Sequence, residues 1–380
     1  MEAALQLIHE YFIPFLVVLG AVVFVHEYGH YWAAKQCGVK VESFSIGFGP
    51  ELVGWNDKHG TRWKICLLPL GGYVKMYGDA DPASSPDEKA LHQMTPTDRE
   101  RAFFYKSVNK RALIVFAGPA ANFLFSLLVL CVLFTVEGQP YTPPVVAKLV
   151  PGEASEQAGL QLEDKILSIN GVGVERFEDI QRLIRLNRGE PVLLNVQRAG
   201  TTFSINMTPK VGEMKDRFGN THLVGRIGIG SGKMDIKKME PHQALGRAVH
   251  EIWYLCTGTL TALGQMIAGT RSAEELGGAL RIAQMSGDMA KKADIPTFVW
   301  FIAVISVNLG FINLFPIPLL DGGHLVFYGI EKVRGKPLPL KIQEVAMRAG
   351  MLMVLGLMLF ATWNDLVHLK VIDFITSMFS

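Results

Sequence analysis

Four stretches of this chain are apolar for long enough to cross a lipid bilayer, which takes about 20 consecutive apolar residues in a helix. The first, 11–34, is apolar through Val25 and then interrupted by His26, Glu27 and His30. The second, 112–136, carries no charge, the third, 295–320, is uncharged up to Asp321, and the fourth centres on 349–364. A fifth run, 252–270, is uncharged but rich in Gly and Thr and contains Gln265. A crossing there would put Asp321 on the opposite side from His26 and His30. If those three share a site, the run lies at the interface or packs on protein, as an amphipathic helix does. Lys and Arg accumulate in short cytoplasmic connections. None precedes the first span, whereas Lys106, Lys110 and Arg111 precede the second, and Lys332, Arg334, Lys336 and Lys341 separate the third from the fourth. Both chain ends are therefore predicted outside the cytoplasm, with the first and third connections inside.

Between the apolar runs the pattern changes period. In 37–80, Phe44, Ile46 and Phe48 alternate with small or polar neighbours, and Trp63, Ile65 and Leu67 repeat the alternation after an Asp57-Lys58-His59-Gly60 turn. That predicts a β-hairpin region on the cytoplasmic side. It either packs on the spans or offers an edge strand to an extended peptide. Residues 142–212 contain the segment Ala158-Gly159-Leu160, then Asp164, Ile166, Ile169, Asn170 and Gly171, followed by a helical stretch at 177–186 and a strand at 192–196. This pattern resembles a PDZ domain, whose strand and helix form a groove for peptide ends. It departs from the usual form at Glu163, where glycine commonly precedes the aspartate. Residues 81–110 read as a linker, solvated over 84–101 with its Ser, Pro and charges, and 213–293 as a connector with interfacial helices. The helical segments are then 1–36, 111–137, 294–330 and 342–368.

Composition agrees with a membrane protein: 49% hydrophobic, 19% charged and a mean hydropathy of +0.25, on the apolar side of soluble proteins. A net charge of +2 with no basic run gives no footprint for nucleic acid. Cys37, Cys66, Cys131 and Cys256 lack C-x-x-C spacing, so neither a disulfide framework nor a cysteine zinc site is indicated. No Lys or Arg stands before Lys35, so the basic start of a secretory signal is missing and the first apolar segment reads as retained.

The chemistry lies in the first span, at His26-Glu27-Tyr28-Gly29-His30. Helical positions i and i+4 share a face, so both imidazoles can reach one zinc ion. Zinc takes nitrogen ligands at about 2.0–2.1 Å and, in catalytic sites, leaves a position for water, whose pKa falls towards about 7. Glu27, one residue round the helix, can take the water's proton and pass it to the leaving amine. A chance match to so short a motif is the competing explanation. An ionisable side chain in a span costs about 2.5–3.5 kcal/mol on insertion scales, which makes three together a functional cluster in need of a partner. Gly29 leaves room for a close neighbour, either substrate or another span. Two histidines do not close a site, and Asp321 arrives from the same side after an uncharged run. Taken alone, it reads as a helix-end carboxylate facing water.

Together the motifs closely resemble the site-2 protease family of intramembrane metalloproteases, in particular its bacterial RseP-type members that cleave anti-sigma factors. H-E-x-x-H is met by His26 to His30, and N-x-x-P-x-P-x-x-D-G by Asn313, Pro316, Pro318, Asp321 and Gly322. Gly118-Pro119-Ala120-Ala121-Asn122-Phe123, Gly71-Gly72-Tyr73-Val74 and Ser306-Val307-Asn308-Leu309-Gly310 also look like the family. Some relatives carry two tandem PDZ domains, whereas 142–212 has room for one. The resemblance implies a polytopic α-helical membrane protein with four transmembrane helices, a membrane-associated β region and an inserted α+β PDZ domain. It implies a Zn2+ cofactor held by His26, His30 and Asp321, Glu27 as base, and Asn313 as a substrate-positioning group, an amide that otherwise satisfies the broken helix. Its implied partners are transmembrane proteins pre-trimmed outside by another protease, peptide ends at the PDZ domain and the lipid bilayer of the bacterial inner membrane. A zinc-binding PDZ scaffold without turnover would not need Glu27. A transporter would need polar residues across several spans, and the second span has no charge.

Overall fold

A computed structural model of the 380-residue chain describes residues 8–80, 87–187, 189–215, 221–233, 235–269, 272–273, 276–291 and 294–368. The expected start of the first segment at 1–7 and part of the expected linker, 81–86, lie outside the described residues. The apolar runs form helices. In chain order the main helices are α1 (Ile13–Gln36, entered through a π-turn at Ile8–Phe12), α2 (Val108–Val136), α3 (Phe177–Leu186), α4 (Pro241–Ile267), α5 (Ala279–Lys291), α6 (Ile295–Asn313), α7 (Asp321–Arg334) and α8 (Leu340–His368). Among the described residues, the stretches Ile8–Gln36, Val108–Val136, Ile295–Asn313 and Lys341–Val367 are long and apolar enough to cross a membrane. The chain is a four-span membrane protein. The expected fifth run falls in α4, which is not one of these four.

Helix α2 shows how a span is divided. Leu124, Leu128 and Val132 are exposed along one side, while Asn122 and Ser126 are fully buried on another. The Ser126 hydroxyl donates to the carbonyls of Asn122 and Ala303, and that of Ser306 donates to Asn122. Small polar side chains thus join α2 to α6, as expected where lipid removes any hydrophobic drive between helices.

Strands β1 (Val41–Asn56) and β2 (Arg62–Met76) form the expected hairpin. Each is long enough to bend at glycine, Gly47 with φ +88° in β1 and Gly71 with φ +104° in β2, positions where a side chain would be strained. As a result Phe44 faces Val74 on one side and Trp63 on the other, and Ile46 faces Gly72 and Ile65, while Val53 to Asn56 pair with Ile65 to Arg62. The first half of β1 is sandwiched between the two halves of β2. The turn is fixed by Asp57, whose carboxylate accepts from the amides of His59 and Thr61, the Trp63 indole and the Tyr31 hydroxyl. Burial would raise its pKa, but these bonds hold the carboxyl well below the usual range. At its root the sheet joins α1, α2 and α7 through a buried cluster that includes Ala33, Val41, Phe44, Val74, Phe103, Ile114 and Tyr328. Its far end exposes Leu52, Val53, Trp55, Leu67 and Leu68.

The insert is a compact unit of its own, Phe134–Glu240. Strands β3 (Lys165–Ile169), β4 (Val172–Gly173), β5 (Val192–Arg198) and β6 (Thr201–Met207) form an antiparallel sheet in the order β4-β3-β5-β6. Ile180 and Ile184 of α3 pack with Ile166, Ile169, Leu194 and Val196 in one apolar core, as the PDZ pattern predicts. Glu163 adopts the left-handed φ of 67° that the usual glycine would supply, with its side chain exposed. Fully buried Asp164 accepts two bonds from Arg198, at 2.6 and 2.7 Å.

Three expected boundaries are corrected. The insert does not end at 212: Ile227 belongs to its core, and Ile229–Gly230 pair with Leu149–Lys148, so the connector's early part completes the domain. The linker 81–110 is not merely solvated. It holds short helices at Glu88–Gln93 and Pro96–Arg101 and buries Met94 and Phe103. The third segment is not one helix through 330. Pro316 and Pro318 lack the amides that a helix interior needs, so α6 stops at Asn313 and α7 starts afresh at Asp321. Leu319, with φ 93°, lies between them, and the amides of Ile317 and Leu320 bond locally to Phe315 and Ile317.

Candidate metal centre

The break between α6 and α7 places Asp321 at the first position of α7. Gly322 and Gly323 make that possible, since a Cβ on Gly322 would lie 2.2 Å from the Phe315 carbonyl oxygen and one on Gly323 2.4 Å from that of Ile317. The α7 start can therefore pack directly on the irregular segment before it. Its carboxylate meets both imidazoles of α1. The Asp321 Oδ2 lies 3.2 Å from His26 Nε2 and 3.5 Å from His30 Nε2, and the two Nε2 atoms are 3.2 Å apart. All three side chains are at most 16% exposed.

This triangle fits a zinc ion. Tetrahedral ligands at about 2.0–2.1 Å from a common centre are separated by roughly 3.3 Å, the spacing found here. The Asp321 Oδ2 is also buried against the two imidazole nitrogens, so when both turn lone pairs inward its charge needs a cation as partner. Oxygen and nitrogen donors of this kind suit zinc, and the three side chains leave further coordination positions open.

The rings are held from α2. The Ile114 carbonyl lies 2.9 Å from His30 Nδ1. A carbonyl only accepts, so the Nδ1 carries the proton and the Nε2 lone pair faces the triangle. Pro119, inside α2, cannot donate to the Val115 carbonyl, which loosens the turn where Ile114 offers its oxygen. Gly118 leaves space for the His30 ring, because a Cβ there would sit 2.2 Å from Nε2. Gly29 lies against α2 as well: a Cβ would be 2.3 Å from the Ala117 carbonyl oxygen and 2.7 Å from the Ala121 methyl. Of the two readings of Gly29, close packing between spans is the one observed.

Glu27 is buried beside this centre. Its neighbour is the returning half of β2, where a Cβ on Gly72 would lie 2.9 Å from Glu27 Cγ. Asn313 ends α6 with its amide nitrogen 3.5 Å from His26 Nε2. The sequence motifs thus come together from five separate elements, α1, α2, β2, α6 and α7. Sequence reasoning left Asn122 without a role, yet its amide lies 3.2 Å from His26 Nδ1. The signal was available in the spacing: 114, 118, 122 and 126 recur every four residues and lie on one face of α2.

Comparison with known proteins agrees with this architecture. Peptidase family M50 matches residues 14–357. A protein of Agrobacterium fabrum and one of Rhizobium meliloti, each named "Putative zinc metalloprotease", are 44% identical to the chain. The matches cover 96% of this chain and 97% of the first protein, and 94% and 96% for the second. Metalloprotease MmpA of Caulobacter vibrioides is 37% identical, over 97% of this chain and 98% of its own. Among solved structures, the PDZ domain of an SdrC-like protein from Listeria monocytogenes covers 24% of this chain and 90% of its own length, at 17% identity and a TM-score of 0.19. With a match running from the first span into the last, over the whole site, the chain belongs to Peptidase family M50, the site-2 protease family that its motifs resemble.

Proposed function

We propose that this zinc metalloprotease hydrolyses peptide bonds in or next to the membrane-spanning segments of single-span proteins, with His26, His30 and Asp321 as zinc ligands and Glu27 as the base. The observation that carries the reading is the triangle of Nε2, Nε2 and Oδ2 atoms at 3.2–3.5 Å, formed by α1 and α7 beside a buried glutamate. Bound zinc supplies Lewis acidity towards a carbonyl oxygen and acidifies water. Glu27 would take a proton from the attacking water and return it to the departing amine. His30, tied to Ile114, holds its lone pair inward throughout. Asn313, at the end of α6 and next to His26, is placed to hold a backbone group of the substrate through its amide.

A helical substrate hides its carbonyls in i to i−4 bonds, so it must unwind before it is cut. The strand at Gly72–Met76, adjacent to Glu27, offers an edge on which the unwound segment can lie extended. The basic connections orient the chain in a bacterial inner membrane with its ends and the PDZ insert outside and the site towards the cytoplasm. The insert then filters substrates by size or end, admitting proteins such as anti-sigma factors after an outer protease has trimmed them.

The test is Glu27→Gln. The variant retains zinc and loses cleavage, and the membranes of cells that carry it accumulate a single-span fragment absent with the active enzyme. Zinc retention with full cleavage would sink the assignment. The filter is tested by excising the insert and offering an untrimmed substrate: unchanged exclusion removes it from the scheme.

A further inference from the structure

The two imidazoles of α1 are treated differently by α2. His30 has an acceptor that cannot change: the Ile114 carbonyl, 2.9 Å from Nδ1. The corresponding nitrogen of His26 faces the carboxamide of Asn122, with Nδ2 at 3.2 Å. An NH2 group in that place meets the Nδ1 lone pair and leaves the proton on Nε2, directed at the Asp321 carboxylate 3.2 Å away. A ring protonated on Nε2 has no lone pair there for a cation. The carboxamide carries its own sign of mismatch, because its Oδ1 is buried without a hydrogen-bond partner. A half-turn of the amide exchanges its two ends and brings the oxygen to His26 Nδ1.

The residue is held well enough to select a tautomer. Asn122 is fully buried, and its backbone carbonyl accepts from the hydroxyls of Ser126 and Ser306 at 2.9 and 3.2 Å. On α6, a Cβ at Gly310 would come within 3.1 Å of Asn122 Cβ, so the absent side chain makes the seat. Ser306 and Gly310 are one helical turn apart, which means α6 fixes Asn122 while Asn122 fixes His26.

Resting on the zinc-ligand reading above, we propose that Asn122 is a positioning residue whose carboxamide oxygen accepts the Nδ1 proton of His26 and thereby sets the tautomer that presents Nε2 to zinc. Residues that hydrogen-bond to the far nitrogen of a ligating histidine typically change metal affinity by about 10–100-fold when removed. Both outer partners of the site then come from α2: a main-chain oxygen for His30 and a side-chain oxygen for His26.

The experiment measures zinc affinity of the full-length protein in detergent by competition with a chelator, on metal-stripped samples whose melting is recorded first. Asn122→Ala is expected to bind zinc about 10–100-fold more weakly, while Asn122→Asp, which keeps an acceptor of the same shape, recovers most of that loss. His26→Ala serves as the control for the site and is expected to lose zinc more severely than either. If His26→Ala binds zinc like the wild type, the ligand assignment itself is wrong. If His26→Ala loses zinc and Asn122→Ala does not, the role given to Asn122 is wrong. Equal weakening in the Ala and Asp variants also overturns it, because packing alone has then been lost. Should Asn122→Ala fail to fold, Asn122→Asp against Asn122→Leu makes the same comparison, with retention in the first and loss in the second expected.

Discussion

The insert and the membrane unit both bury apolar side chains, but they join their elements by different kinds of contact. In the insert the core is Ile166, Ile169, Ile180, Ile184, Leu194 and their apolar neighbours, so hydrophobicity marks the inside, as it does in any water-soluble domain. In the spans, Leu124, Leu128 and Val132 point outward, while Gly29, Gly118, Asn122, Ser126, Ser306 and Gly310 make the contacts. Val18, Val22, Ile114 and Phe301 are buried there too, so it is smallness and hydrogen bonding, not hydrophobicity, that mark the close helix contacts. The difference follows from the solvent each unit meets, since lipid gives no return for burying a leucine. The same apolar letter therefore has to be read twice, once for each environment.

The comparison can be broken at several points. The largest effect is expected at Glu27→Gln, which removes the proposed proton carrier and should lower the cleavage rate by about 100- to 10,000-fold at unchanged zinc content, measured by turnover and metal analysis on the same sample. Asp321→Asn should reduce zinc affinity by more than the roughly 10–100-fold typical of an outer partner, because it removes the charge of a proposed ligand while α7 stays in place. Next comes Gly118→Ala. In a soluble core one added methyl commonly costs about 1–3 kcal/mol. Here the methyl falls 2.2 Å from His30 Nε2, so zinc binding should fail before folding does, and a normal zinc affinity would show that the span contacts tolerate what their geometry forbids. The insert should show the reverse pattern. Ile166→Ala should destabilise it by about 2–5 kcal/mol and open it to proteolysis, leaving the zinc affinity of the spans unchanged.

The smallest effect is electrostatic. Burial works to raise the pKa of Asp164, but the Arg198 guanidinium holds it below the usual carboxylate value. A group with a lowered folded-state pKa adds stability that is present above its unfolded value, near 3.9, and is lost as the pH falls through the folded one. Protease resistance of the insert should therefore decline below about pH 4, and Asp164→Asn should flatten that decline while lowering resistance at neutral pH.

Much of this was legible in the sequence because the chemistry is carried by local motifs. His26, Glu27 and His30 lie within one helical turn, and Asp321 follows two closely spaced prolines, Pro316 and Pro318, that break the third apolar run. The PDZ pattern was visible in the spacing of Ala158-Gly159-Leu160, Asp164, Ile166, Ile169 and Asn170-Gly171. What escaped was of another kind. Gly118 and Asn122 contact neighbours on α1 and α6, and their four-residue spacing marks a shared face of α2 without naming what meets it. The bend that places half of β1 between the two halves of β2 depends on Gly47 and Gly71 having positive φ, which alternation alone does not reveal. The end of α6 at Asn313 was hidden because the apolar run continues to Leu320 even though the helix does not.

The division of the site between the start and the end of the chain has a consequence in time. Asn313 and His26 stand 287 positions apart, and synthesis proceeds at about 5–20 residues per second. A nascent chain therefore displays its two histidines for roughly 15–60 s before the segment bearing Asp321 is made. On the proposed ligand set the centre stays incomplete during that interval and closes only when the segment that carries Asp321 is made, so the order of translation sets when the third side chain can join the two histidines.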